Sequence, residues 1–174
     1  MGEITLILGG AKSGKTSLAL AKCLEPPPPW IYLATAEARD GEMTERITRH
    51  KAERGPGWRT MEEPLYPVEA LSRLKPGEAS VVLLDCLTLW LSNLMTGQGL
   101  SKDETWPRVL ELTEAALAAP CPVIMVSNEL GLGIVPENRL ARDFRDASGA
   151  AHQYLAAKAR EVLFIMAGLS LKLK

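Results

Sequence analysis

Short apolar runs alternate along this chain with longer segments in which apolar and polar positions are mixed. The apolar runs are rich in residues that favour β-structure, and they predict buried strands at residues 3–8, 30–35, 80–84 and 122–127. The mixed segments predict helices at residues 15–24, 41–54, 66–74, 87–95, 104–118 and 136–160. Two last apolar runs, 162–166 and 170–174, flank Gly168 and predict a hairpin at a sheet edge. This alternation predicts an α/β fold with a mainly parallel sheet and helices on both faces.

The size and charge of the chain limit the classes of protein to which it can belong. A length of 174 residues suits one domain with its own core, so we expect a single domain over residues 1–174. The 20 basic and 21 acidic residues give a net charge of −1, which offers no electrostatic basis for binding nucleic acid. No apolar run reaches the ~18 residues that a membrane span needs, so none is expected.

Three cysteines, Cys23, Cys86 and Cys121, are scattered along the chain. Their number and spacing fit neither a disulfide framework nor a zinc site. We therefore expect three small core residues in a protein of the reducing cytoplasm.

A glycine-rich motif joins the first predicted strand to the first predicted helix. It fits the pattern G-x-x-x-x-G-K-[ST] and consists of Gly9, Gly10, Ala11, Lys12, Ser13, Gly14, Lys15 and Thr16. In such a phosphate-binding loop (P-loop), backbone N–H groups and the helix N-terminus form a cradle for phosphate. Lys15 is predicted to contact the β- and γ-phosphates, and the Thr16 hydroxyl to bind Mg²⁺. The motif therefore predicts binding of a nucleoside triphosphate with magnesium.

An acidic residue, Asp85, directly follows the strand predicted at residues 80–84. Ligands of open parallel sheets lie outside the carboxyl ends of the strands. Asp85 is therefore predicted to face the P-loop from a neighbouring strand and to act as a second group for Mg²⁺.

His50 lies on the helix predicted at residues 41–54, where Glu42, Arg46, His50 and Arg54 recur at intervals of four and share one face. One interpretation is a solvated, charged face. The other is chemical: a neutral imidazole is a good nucleophile toward phosphorus, and neighbouring cations disfavour its protonation. In that case His50 accepts a nucleotidyl group and passes it on.

Two later segments carry further candidates. The glycine-rich stretch 128–138 follows a predicted strand and is expected either to shape a substrate site or to be an ordinary connecting loop. Arg139, Arg142 and Arg145 follow at intervals of three; they are predicted to meet a phosphate or another subunit, or else to form a solvated face. His152 has no cationic neighbours in sequence and is expected to be a surface or packing residue.

Taken together, these segments resemble one family, the bifunctional adenosylcobinamide kinase / adenosylcobinamide-phosphate guanylyltransferases of cobalamin biosynthesis. The matching segments are residues 9–15, 32–36, 42–51, 58–60 and 127–142, with 144–146 and the tail around Lys172. The resemblance covers nearly the whole chain, and the stretch 128–142 is far more specific than the P-loop.

The resemblance implies two activities on one small RecA-like domain that assembles as a trimer. The first phosphorylates adenosylcobinamide with ATP or GTP; the second transfers GMP from GTP to adenosylcobinamide phosphate through a guanylyl-histidine, which corresponds to His50. The implied nucleotide contacts are the P-loop and Ala34, Thr35, Ala36, Lys51, Ala52, Glu53, Arg54, Glu62 and Asp85. A carboxylate such as Glu62 suits guanine, because guanine N1–H and N2–H₂ are both donors.

Two other functions fit the P-loop. One is a kinase of another small metabolite that forms no covalent intermediate, with His50 a bystander. The other is a RecA-like motor or regulatory NTPase, which the lack of excess basic residues disfavours.

Overall fold

The computed structural model of the chain describes residues 2–37, 41, 45, 51 and 54–174. Its described strands form one seven-stranded sheet in the order β3-β2-β4-β5-β1-β6-β7. The first six strands run parallel and β7 pairs antiparallel with β6, which confirms the α/β fold and the terminal hairpin. The strands are β1 (Ile4–Gly9), β2 (Trp30–Ala34), β3 (Trp58–Glu62), β4 (Val81–Asp85), β5 (Val123–Asn128), β6 (Glu161–Met166) and β7 (Leu169–Lys172).

The described helices follow the predicted pattern and most are shorter than predicted, except that the helix predicted at residues 104–118 begins at Lys102. The long last helix begins after Asn138, whose side chain accepts a hydrogen bond from the Ala141 N–H, and not at Pro136 as predicted. The predicted helix 87–95 closes in a π-helical turn, Asn93–Gly97. The α-helices are α1 (Lys15–Cys23), α2 (Pro67–Ser72), α3 (Leu87–Ser92), α4 (Lys102–Ala118) and α5 (Arg139–Lys158).

Alternate residues along each strand pack into different halves of the core, because successive side chains of a strand point to opposite faces. Leu6 and Leu8 of β1 pack with the buried sides of α2, α3, α4 and α5. Ile7 of the same strand packs on the opposite face, with Ala19 and Cys23 of α1. Burial on both faces explains the near-continuous apolar runs in the sequence.

β3 was not predicted. Its sequence, Trp58–Glu62, carries Arg59 and Glu62 and pairs with β2 at the edge of the sheet. An edge strand is half-exposed, so it lacks the apolar run by which the central strands are recognised.

The position of Asp85 relative to the P-loop corrects the sequence-based prediction. Asp85 ends β4, which was expected to neighbour the P-loop strand β1, but β5 lies between β4 and β1. Asp85 is nevertheless close to the P-loop, because its carboxylate accepts a hydrogen bond from Thr16 in the helix that follows the loop.

All three cysteines are buried and free, as predicted. Within the described part of the chain, no helix is both long and apolar enough to cross a membrane.

Candidate nucleotide site

The P-loop connects the carboxyl end of β1 to the start of α1. Gly9 is required sterically: its φ is +157°, and a Cβ there would lie 2.3 Å from the Ile165 carbonyl oxygen. Gly14 precedes α1 with φ +100°, a left-handed conformation that glycine adopts at low cost. The hairpin turn supports the loop, because the Gly168 N–H donates to the Ser13 carbonyl at 2.9 Å.

The Lys15 side chain is folded over its own loop. Its ammonium donates to the Gly10 carbonyl at 2.5 Å and lies 3.5 Å from Ser13 Oγ. Only 7% of Lys15 is exposed. A cation held against the backbone of a P-loop is suited to contact a polyphosphate.

Thr16 and Asp85 meet beside the P-loop. Thr16 Oγ1 donates to Asp85 Oδ2 at 3.0 Å, and the same carboxylate oxygen accepts from the Tyr32 hydroxyl at 2.9 Å. Hydroxyl and carboxylate oxygens are the hard donors that Mg²⁺ prefers. The two predicted metal residues thus lie together, and their chemistry fits the ion.

Tyr32 lies in a segment that matches the family, and its hydroxyl completes this cluster. Burial raises the pKa of its hydroxyl, and the neighbouring Asp85 carboxylate raises it further. Tyr32 therefore remains a protonated donor to Asp85. Adjacent Cys86 is not a nucleophile, because burial, aided by Asp85, raises the pKa of its thiol to about 12.

Thr35 is fully buried at the carboxyl end of β2. Its hydroxyl donates to the Cys86 carbonyl at 2.7 Å and accepts from the Cys86 N–H at 2.8 Å. The Asn93 side-chain amide donates to the Thr35 carbonyl at 2.8 Å. These bonds tie residues 34–36, which are predicted nucleotide contacts, to the strand end that carries Asp85.

Of the residues predicted to hold the nucleoside, Glu62 ends β3, and Lys51 and Arg54 precede that strand in the chain. Lys51 forms an ion pair with Glu62, and both side chains are about half exposed. Arg54 donates to Thr60 Oγ1 at 3.2 Å, and its guanidinium carbon lies 3.6 Å from the centre of the Tyr32 ring. His50, Ala52 and Glu53 lie outside the described residues. The functional roles of this set stay predictions.

His152 belongs to a buried polar network on α5 and β5, a packing position of the kind expected. Its Nε2 lies 2.7 Å from Ser127 Oγ, which contacts Thr88 Oγ1 at 3.0 Å. Its Nδ1 lies 3.5 Å from Glu129 Oε2, a loose contact. Burial lowers the pKa of His152 more than Glu129 raises it, so the ring is neutral. The network holds the end of β5, where the Glu129 N–H donates to the Gly9 carbonyl at 2.9 Å.

The loop after β5 exposes an apolar surface. Leu132, Ile134 and Val135 are 82%, 97% and 59% exposed. Arg142 closes the loop by donating to the carbonyls of Pro136 and Glu137 at 2.9 and 2.5 Å. Arg139 and Arg145 pair with the neighbouring carboxylates of Asp143 and Asp146. In this structure Arg142 therefore contacts the loop, whereas Arg139 and Arg145 form ion pairs within α5.

Comparisons with known proteins agree with one another and with the family resemblance of the sequence. A family model described as "Cobinamide kinase / cobinamide phosphate guanyltransferase" matches residues 5–173. The chain is 44% identical to the bifunctional adenosylcobalamin biosynthesis protein CobP of Pseudomonas aeruginosa, covering 97% of this chain and 96% of that protein. It is 38% identical to the bifunctional adenosylcobalamin biosynthesis protein CobU of Escherichia coli, covering 97% and 98%.

A solved structure with a similar fold is the P4 protein of bacteriophage phi6 in complex with ADP, with a TM-score of 0.52 and 16% identity. The match covers 97% of this chain and 52% of the phage chain, so this chain spans about half of that protein's length. At this identity the likeness supports the fold alone.

Proposed function

Because the chain belongs to the cobinamide kinase / cobinamide phosphate guanyltransferase family, we propose that its one P-loop serves two consecutive reactions within a single domain, residues 1–174. As a member of this family the chain is a bifunctional kinase and guanylyltransferase of cobalamin biosynthesis. Its substrates are adenosylcobinamide and adenosylcobinamide phosphate, and the product is adenosyl-GDP-cobinamide. The observation that carries the proposal is the meeting of Lys15, Thr16 and Asp85 at the P-loop of a chain that matches the family over nearly its whole length.

In the kinase step, the terminal hydroxyl of the substrate attacks the γ-phosphorus of ATP or GTP. The new O–P bond forms as the bond to the β–γ bridging oxygen breaks; the nucleoside diphosphate leaves with that oxygen, and the hydroxyl proton passes to solvent. Lys15 stabilises the charge on the β- and γ-phosphates, and the loop N–H groups hold them in line. Thr16 and Asp85 would hold Mg²⁺, which neutralises phosphate charge when bound.

In the second step, a neutral His50 imidazole attacks the α-phosphorus of GTP and pyrophosphate leaves. The phosphate of adenosylcobinamide phosphate then attacks the same phosphorus, which frees His50 and forms the diphosphate link. Lys51, Ala52, Glu53 and Arg54 are proposed to bind the nucleotide beside His50. Glu62 is proposed to accept hydrogen bonds from guanine N1–H and N2–H₂; its pairing with Lys51 is exposed and weak enough to exchange for the base.

We further propose that the protein is a cytoplasmic homotrimer that needs no nucleic acid. A trimer is implied by the family resemblance, and the exposed apolar loop 132–135 is one surface that a neighbouring subunit or the corrinoid could cover. A cytoplasmic location suits an enzyme that consumes nucleoside triphosphates and carries three free cysteines.

Mass spectrometry after incubation with GTP and MgCl₂ tests the function. We expect a covalent GMP adduct on the wild-type chain and none on His50→Asn, while phosphorylation of adenosylcobinamide persists in part in the variant. A kinase without a covalent intermediate would give no adduct in either protein. A His50→Asn chain that still forms a stable adduct would refute the assigned role of His50. Stimulation of hydrolysis by nucleic acid would instead favour a motor.

A further inference from the structure

Tyr32 lies where the two halves of the nucleotide site meet. It sits on β2, between β3, which carries Thr60 and Glu62, and β4, which ends at Asp85. The residue is 6% exposed, so its hydroxyl and both faces of its ring are surrounded by protein. Neither its sequence position nor the predicted site assigns it a function.

The hydroxyl of Tyr32 bonds the proposed metal residue. Asp85 Oδ2 accepts from Tyr32 at 2.9 Å and from Thr16 at 3.0 Å. If Thr16 turns its oxygen to the metal, the bond from Tyr32 still fixes the direction of the carboxylate. Partners of this kind set the orientation of a metal ligand, and removing one typically weakens metal binding by roughly 10–100-fold.

The ring of Tyr32 contacts residues on the side of the site where guanylyl transfer is proposed. The Arg54 guanidinium lies 3.6 Å from the ring centre, a cation–π contact, and also donates to Thr60 at 3.2 Å. Trp58 packs edge-on against the same ring, with centroids 6.3 Å apart. Arg54 follows His50 by four residues in the chain. Arg54 is therefore anchored to the side chain that orients Asp85.

We propose that Tyr32 is a positioning residue for both reactions: its hydroxyl orients Asp85 toward Mg²⁺, and its ring holds Arg54 beside the nucleotide. Only the second role, that of the ring, rests on the proposed function. The two halves separate experimentally, because replacement of Tyr32 by phenylalanine removes the hydroxyl and keeps the ring, whereas replacement of Arg54 removes the cation and keeps the hydroxyl.

The test measures binding of a fluorescent α,β-methylene GTP analogue, which cannot transfer GMP, as MgCl₂ is titrated. For Tyr32→Phe we expect the MgCl₂ concentration at half-maximal binding to rise by roughly tenfold, with unchanged analogue binding in EDTA. Tyr154→Phe is the matched control, since Tyr154 lies on α5 against Trp106. It should titrate like the wild type. Unfolding temperatures verify that each variant is folded.

A double-mutant cycle and Arg54→Gln complete the test. In an Asp85→Asn background, Tyr32→Phe should change the MgCl₂ titration by less than twofold, because the carboxylate it orients is gone. Arg54→Gln should form the GMP adduct more slowly at saturating GTP and MgCl₂, and a rate within twofold of the wild type would overturn the role of the ring contact. The inference is overturned if Tyr32→Phe titrates within twofold of Tyr154→Phe, or if it weakens binding equally in EDTA. If the wild type forms no adduct, the proposed function fails while the MgCl₂ titration still decides the role of the Tyr32 hydroxyl.

Discussion

The two adjacent P-loop glycines, Gly9 and Gly10, should respond in opposite ways to a single added methyl group. A Cβ at Gly9 would lie 2.3 Å from the Ile165 carbonyl oxygen and 2.8 Å from Ser13 Oγ, whereas a Cβ at Gly10 meets nothing within 4 Å. The Ile165 oxygen belongs to the backbone of β6, beside β1, so it cannot rotate away. Gly9 also has a φ of +157°, which alanine rarely adopts.

For Gly9→Ala, overpacking costs about 1–3 kcal/mol and the unfavourable backbone conformation about 1–3 kcal/mol. We therefore expect a loss of about 2–6 kcal/mol from the free energy of unfolding, a large share of the ~5–15 kcal/mol of a typical domain. For a chain of this size, each kcal/mol lowers Tm by roughly 2–4 °C. Gly10→Ala should keep its stability or gain about 0.4–1 kcal/mol, because alanine restricts the unfolded chain.

Urea unfolding followed by circular dichroism, with Tm from calorimetry, measures both variants without nucleotide. Binding of GTP is measured alongside. Gly10→Ala should bind GTP more weakly despite its stability, since its methyl group would occupy the space that phosphate approaches. The reasoning fails if Gly9→Ala is as stable as the wild type, or if the two variants lose equal stability.

Other predictions follow from the same site. Lys15→Ala should abolish both activities, since both need the polyphosphate clamp; radiolabel transfer from γ- and α-labelled GTP measures this, and retained kinase turnover would contradict it. Glu62→Gln should lower the preference for GTP over ATP more than it weakens triphosphate binding, measured by calorimetric titration; equal losses would make Glu62 structural. The lowered pKa of buried His152 means that the unfolded chain binds its proton more readily, so stability is complete above pH ~6.5 and falls as the pH drops below it. Urea unfolding between pH 5 and 8 should show this fall in the wild type and a smaller one in His152→Asn; identical pH profiles would exclude His152 as the cause.

Several features of the protein could be predicted from the sequence because they depend on neighbours in the chain. The apolar runs of β1, β4 and β5 reflect burial on both faces of a parallel sheet. The spacing of apolar residues changes to that of a helix where α1 begins at Lys15. The P-loop motif encodes its own conformation through glycines at required positions. Asp85 was identified as a candidate by its place at the end of an apolar run, which is a local signal.

Other features depended on which strands pair, and the sequence does not encode that order locally. Helical crossovers can return a strand to several places in a parallel sheet. The insertion of β5 between β1 and β4, and the half-exposed edge strand β3, were therefore decided only by tertiary packing. The same strand order brings the Tyr32 hydroxyl to Asp85, 53 residues away, and places Arg54 over the Tyr32 ring. In the sequence, a tyrosine within an apolar run cannot be distinguished from other core residues. The partner of its hydroxyl is known only from the folded chain.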